Sequence, residues 1–148
     1  MNKYRTHNCN ELNLKNKNTL SRGEWNDCTV RAMVHVSGLQ YDDAHNWVAN
    51  NMARKPRRGP SYVNAVDAMD NANTINNNKV SRIEKECLKT VYGSKERKMT
   101  LKTFIKNNPK GNFYILVRAH ALAIVNGEVM DKTSERCRIL EAWELKDK

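Results

Sequence analysis

His120-Ala121-Leu122-Ala123-Ile124-Val125-Asn126-Gly127-Glu128-Val129-Met130-Asp131 reads as a β-hairpin, and the rest of the chain is best read outward from it. Asn-Gly between two apolar runs is the strongest short hairpin signal, because both turn residues must take positive φ. A two-residue turn there fixes the register: Val125 faces Glu128, Ile124 faces Val129 and Leu122 faces Asp131. Side chains alternate along a strand, so His120 and Leu122 share a face. Asp131 then lies on the His120 face, one diagonal step across the ladder. Diagonal neighbours sit roughly 7 Å apart at Cβ, within reach of a His and an Asp side chain.

Before this hairpin, Phe113-Tyr114-Ile115-Leu116-Val117 has the composition of a buried strand. After it, Arg136 to Leu145 reads as a final strand of uneven alternation. Thr100 to Asn107 reads as a short helix capped by Thr100 and ended by Asn108-Pro109-Lys110-Gly111. Residues 80 to 98 follow neither period clearly.

The first half is helical in pattern. Asn26 or Asp27 can cap a helix from Cys28 through Val36 that stops at Ser37-Gly38, with Val30, Met33, Val34 and Ser37 inward. A second helix runs from Tyr41 to Val48, with Asp42 and Asp43 in its first turn, where the helix dipole favours acids. Tyr41, Ala44, Trp47 and Val48 form its apolar stripe. Ser61 caps a third helix carrying Val63, Val66 and Met69. Asn71 to Asn78, almost all Asn, Thr and Ile, reads as a loop, and residues 1 to 20 as a polar, loosely ordered arm. No repeat or boundary divides the 148 residues. Helices come first and an antiparallel sheet afterwards, so the expected class is α+β in a single domain.

Hydrophobic residues make up 39% of the chain and mean hydropathy is -0.80, lean but enough for one core. No apolar run approaches the roughly 20 residues that span a bilayer, and no apolar segment follows the first residues as in a signal peptide. A cytoplasmic protein with no membrane partner is the expectation. Cys9, Cys28, Cys87 and Cys137 are irregularly spaced without a CxxC pair, which favours free thiols and argues against a zinc site. No cofactor and no metal are implied. Net charge is +10 with an isoelectric point near 9.6, which suits a polyanion such as nucleic acid as well as it suits a solvated basic surface. The densest basic run is Arg54-Lys55-Pro56-Arg57-Arg58, so Arg54, Lys55, Arg57 and Arg58 are the candidate polyanion contacts.

Three residues combine into chemistry. A cysteine opening a helix sits where unpaired N–H groups and the positive dipole end stabilise a thiolate, and its own N–H is available to an oxyanion. Cys28 has that position; a small buried residue at a helix end is its plainer reading. His120 is a polar residue entering an apolar strand, either a base or a core histidine with one hydrogen bond. Asp131 either orients that histidine or is a strand-end carboxylate. Together a thiol, a base and an orienting acid form a triad. Asp27, beside Cys28, raises the thiol pKa if its carboxylate points inward.

The order Cys, His, Asp, with Cys28 opening the first core helix and His120 on the following sheet, resembles papain-like cysteine peptidases. Asn26-Asp27-Cys28-Thr29-Val30-Arg31-Ala32, Gly38-Leu39-Gln40-Tyr41-Asp42-Asp43-Ala44-His45 and His120 to Asp131 look similar to small papain-fold proteins of tailed phages and bacteria. The resemblance implies a papain-like fold. It also implies a thiol hydrolase acting on a protein or peptide substrate at a peptide, isopeptide or side-chain amide bond, in the host cytoplasm if phage-encoded. Cys28 would be the nucleophile, His120 the base and Asp131 its orienter. The family often places a Gln a few residues before the nucleophile; none stands here, and of Arg22 and Asn26, which could donate instead, Asn26 is the choice because its amide matches the oxyanion role. The alternative is a catalytically inactive basic protein on the same fold that binds nucleic acid or a host protein.

Overall fold

The computed structural model describes residues 27–55, 57–131 and 133–147. The N-terminal arm and Asn26 lie outside the described residues.

Helix α1 (Cys28–Ser37) ends where Gly38 takes φ 77° and sends its N–H to the Val34 carbonyl. Its buried face is broader than the predicted stripe: Thr29, Val30, Ala32, Met33, Val36 and Ser37 are buried, and Val34 is half-buried. Asp27 precedes it without capping it through its side chain. Its carboxylate is instead engaged by the Tyr41 hydroxyl at 2.7 Å and by Arg31, with Nε 3.1 Å away. Helix α2 (Tyr41–Asn51) buries Tyr41, Ala44 and Val48. Helix α3 (Tyr62–Asn71) is capped by Ser61, whose hydroxyl accepts from the Asn64 N–H at 3.1 Å. Its inner face is Ala65, Ala68 and Met69; Val63, two residues before Ala65 and so just over half a turn round, is 62% exposed.

The Asn-rich stretch is a hairpin rather than a loop. Strands β1 (Thr74–Ile75) and β2 (Asn78–Arg82) are joined by Asn76 and Asn77 at φ 51° and 65°, a left-handed turn that Asn tolerates better than most residues. The Nδ2 groups of Asn76 and Asn78 donate to the Ser37 carbonyl at 2.8 and 3.0 Å, tying the hairpin to the end of α1. A 3-10 turn (Lys85–Leu88) then leads into a separate two-stranded ribbon, β3 (Lys89–Tyr92) and β4 (Lys95–Lys98). Helix α4 (Leu101–Asn107) follows, with the Thr100 hydroxyl accepting from the Thr103 N–H.

Strands β5 (Asn112–Val117), β6 (His120–Val125), β7 (Glu128–Val129) and β8 (Glu141–Asp147) complete an antiparallel six-stranded sheet in the order β1-β2-β8-β5-β6-β7. The last strand begins at Glu141 rather than Arg136; Arg138 makes only a single bridge to Thr100. Asn126 and Gly127 take φ 49° and 80°, and Val125 pairs with Glu128 and Ile124 with Val129. The pleat sorts the sheet into two apolar faces. Tyr114, Leu116, Ala121, Ala123, Trp143 and Leu145 pack with α1, α2 and α3. Phe113, Ile115, Val117, Leu122, Ile124 and Ala142 pack with Leu101, Phe104 and Ile105 of α4 and with Leu88, Met99 and Ile139. The fold is thus α+β, an antiparallel sheet covered on both faces. Among the described residues no helix is long and apolar enough to cross a membrane.

Candidate active site

Cys28 is the first residue of α1, and two features of the sheet hold it in place. Tyr114 of β5, fully buried, donates its hydroxyl to the Thr29 carbonyl at 3.2 Å, which pins the helix start to the sheet. On β6 the residues facing α1 are Ala121 and Ala123, while the larger Leu122 and Ile124 face α4. Small side chains let the helix approach closely enough for the Ala121 N–H to bond the Cys28 sulfur.

His120 is the first residue of β6, paired with Val117 across the Arg118-Ala119 turn, where Ala119 takes φ 56°. Strict alternation would group it with Leu122 on the α4 face. At the strand end it is free of that constraint, and its ring hydrogen-bonds Cys28. Asp131 follows β7 after the Met130 N–H bonds the Ala123 carbonyl at 2.9 Å. The chain bends at Asp131, whose Oδ2 contacts His120 Nε2. With Nε2 held by Asp131, Nδ1 is the ring nitrogen left for Cys28. The side chains of His120 and Asp131 are 30% and 16% exposed, so water screens the pair only in part.

The electrostatics favour a charged pair. Burial pushes the Cys28 thiol up, but the hydrogen bonds from His120 and the Ala121 N–H, with the charges of His120 and Arg31, outweigh it and hold the thiol below its usual value. Hydrogen bonds to Asp131 and Cys28 and the charges of both raise His120 to about 10 against the opposing effect of burial. Thiolate and imidazolium therefore stabilise each other. Asp27 lies next to Cys28 in sequence, yet its carboxylate is taken up by Tyr41 and Arg31, and it is not what sets the thiol pKa.

A cleft of about 300 Å³ opens beside the sulfur. It is lined by Cys28 and Thr29, by Gly59 to Tyr62 with Ala65, and by Leu116, Val117 and Ala119 to Ala121. Among the described residues, His120 is the only ionisable lining group besides Cys28 and Tyr62. Tyr62 is fixed from behind: its hydroxyl donates to Glu141 Oε1 at 2.6 Å. Burial and that contact push the Tyr62 hydroxyl up to about 12, so it remains a donor. Glu141 is 3% exposed and also meets Arg82 and, at 2.7 Å, Lys85. Arg82 continues to Asp70 at 2.7 Å and lies over the Trp143 ring, whose Nε1 donates to the same Asp70 oxygen at 2.9 Å.

The structure thus brings together Cys28, His120 and Asp131; Asn26 lies outside the described residues. Sequence reasoning missed Arg31, Tyr114, the Ala121 N–H and the Tyr62–Glu141 contact. Arg31 had a legible signal, one turn after Asp27 on the same helix. Tyr62 and Glu141 are 79 positions apart and had none. The basic run is corrected at one position. Arg54 is only 4% exposed, because the segment after α2 alternates, Met52 and Arg54 inward, Ala53 and Lys55 outward. Lys55, Arg57 and Arg58 are exposed. Cys28, Cys87 and Cys137 are free thiols, and among the described residues no three His, Cys, Asp or Glu side chains are grouped to hold a metal ion.

No protein-family model, no curated protein and no solved structure matches this chain.

Proposed function

We propose that the protein is a thiol hydrolase of papain-like type that cleaves or transfers the acyl group of a peptide, isopeptide or side-chain amide. The observation that carries this reading is the juxtaposition of Cys28 and His120 in the lining of one cleft, with His120 Nε2 held by the Asp131 carboxylate. A structural cysteine needs neither a lowered pKa nor an imidazole held by a carboxylate.

In the first half-reaction the Cys28 thiolate attacks the carbonyl carbon, forming a C–S bond and placing the π-electron pair on oxygen. The Cys28 backbone N–H, in the first turn of α1 ahead of the Arg31–Asp27 bond that begins the helical ladder, is a donor for that oxyanion. Collapse breaks the C–N bond, and the imidazolium proton on Nδ1 passes to the leaving amine. In the second half-reaction water, or an acceptor amine, gives a proton to the now neutral Nδ1 as it attacks the thioester. The C–S bond breaks and the thiolate returns. Asp131 keeps Nε2 as the donor to its carboxylate throughout, which fixes the tautomer.

The test pairs reactivity with turnover. Iodoacetamide labelling of Cys28 is followed by mass spectrometry against pH in the wild type and in His120→Ala, alongside release of amine from a panel of acyl-peptide amides. Fast labelling well below pH 8.5 that His120→Ala slows, with turnover lost in Cys28→Ala, supports the reading. An ordinary thiol profile in both proteins, with no turnover, removes it.

A further inference from the structure

The β3–β4 ribbon stands outside the six-stranded sheet, and its two faces differ in charge. Opposite residues of an antiparallel pair share a face, and faces alternate along each strand. The pairs Lys89–Lys98 and Val91–Glu96 therefore make one face, and Thr90–Arg97 and Tyr92–Lys95 the other. On the first face Lys89 is already neutralised, with Nζ 3.1 Å from Glu86 and 3.4 Å from Glu96. On the second there is no carboxylate. Among the described residues Lys95 and Arg97 make no ion pair, and the Tyr92 hydroxyl makes no hydrogen bond. Tyr92 is nevertheless 58% exposed, a large aromatic ring in water beside two unpaired cations.

The ribbon is held firmly at its base. The Met99 N–H bonds the Leu88 carbonyl at 2.8 Å, both residues being buried, and Arg138 Nη1 donates to the Lys98 carbonyl at 2.7 Å. Gly93, at φ 62°, closes the turn at its tip. A cationic, carboxylate-free face with an exposed ring matches what a single strand of nucleic acid presents: phosphates spaced along a backbone and bases with open π-faces.

We propose that the Thr90–Tyr92–Lys95–Arg97 face of this ribbon binds single-stranded nucleic acid, with Tyr92 stacking on a base and Lys95 and Arg97 on flanking phosphates. None of its residues lines the Cys28 cleft. It therefore stands whether or not Cys28 is a nucleophile.

The experiment is fluorescence anisotropy of the full chain with a labelled oligothymidylate of about 12 nucleotides over a salt series. Wild type is compared with Tyr92→Ala, Tyr92→Phe, Lys95→Gln/Arg97→Gln, Lys89→Gln and Cys28→Ala. Tyr92→Ala should weaken binding roughly tenfold with little change in salt slope, and Tyr92→Phe should restore it. Lys95→Gln/Arg97→Gln should reduce the magnitude of the log–log salt slope by about 1.4. Lys89→Gln and Cys28→Ala should bind like wild type. Absence of wild-type binding at low salt overturns the proposal. So does insensitivity to Tyr92→Ala, an equal loss in Lys89→Gln, or tighter binding of a duplex of the same length.

Discussion

Asp131 holds the Nε2 nitrogen of His120 from outside the β-ladder: pairing between β6 and β7 ends at Ile124–Val129, and the carboxylate arrives from the bend that follows. The contact thus depends on where the hairpin ends as much as on its register. It also makes Asp131 the first contributor to the raised pKa of His120.

Asp131→Asn keeps the shape of that contact and removes its charge. The imidazolium loses its strongest support, so a larger share of His120 is neutral near pH 7 and the thiol is less ionised. Iodoacetamide labelling of Cys28 at pH 7 should slow by roughly tenfold or more, in the direction of His120→Ala. An unchanged rate would show that the carboxylate does not act on the thiol.

Stability should carry the same signature. His120 is raised from 6.5 to about 10 in the folded protein, so folding favours its protonated form. That contribution is fully present below pH 6.5 and is lost as pH rises through about 10. Urea unfolding of wild type and His120→Gln between pH 6 and pH 10 should show the largest difference at the acid end, shrinking toward the alkaline end. A difference that grows with pH contradicts the assignment.

Gly127 sits at φ 80°, and a Cβ there would meet the Pro109 carbonyl oxygen at 3.2 Å. Gly127→Ala should cost about 1–2 kcal/mol from the left-handed backbone alone. Because the turn places Asp131, Cys28 labelling at pH 7 should slow as well. Loss of stability with labelling intact would mean that the bend at Asp131 is held independently of the turn.

Glu141 is the buried member of its cluster, while Arg82 is 31% and Lys85 57% exposed in their side chains. Removing Arg82 strips the buried carboxylate of its best-enclosed partner, so Arg82→Met should cost about 3 kcal/mol. Lys85→Met should cost under about 1 kcal/mol. The ranking is read from urea midpoints, and equal costs would show that Glu141 is satisfied without Arg82.

The sequence by itself determined the local devices. Asn126-Gly127 fixed the register of β6 on β7 because few residue pairs accept two positive φ values. Gly38 ended α1, and Ser61 and Thr100 capped their helices through side-chain acceptors at the predicted positions. The tertiary structure decided everything that depended on distant partners. The Asn-rich stretch had the composition of a loop, yet it pairs as a hairpin because β8, more than 60 positions later, offers β2 an edge. Asp27 had the identity of a cap, but a buried carboxylate gains more from Tyr41 and Arg31 than from its own helix. Alternation along β6 assigned His120 to the face opposite Cys28, and only the strand end, where packing on either side stops, lets the ring meet the thiol. Residue type and spacing named Cys28, His120 and Asp131; their meeting required α1 to lie close on Ala121 and Ala123, a matter of packing that no local pattern encodes.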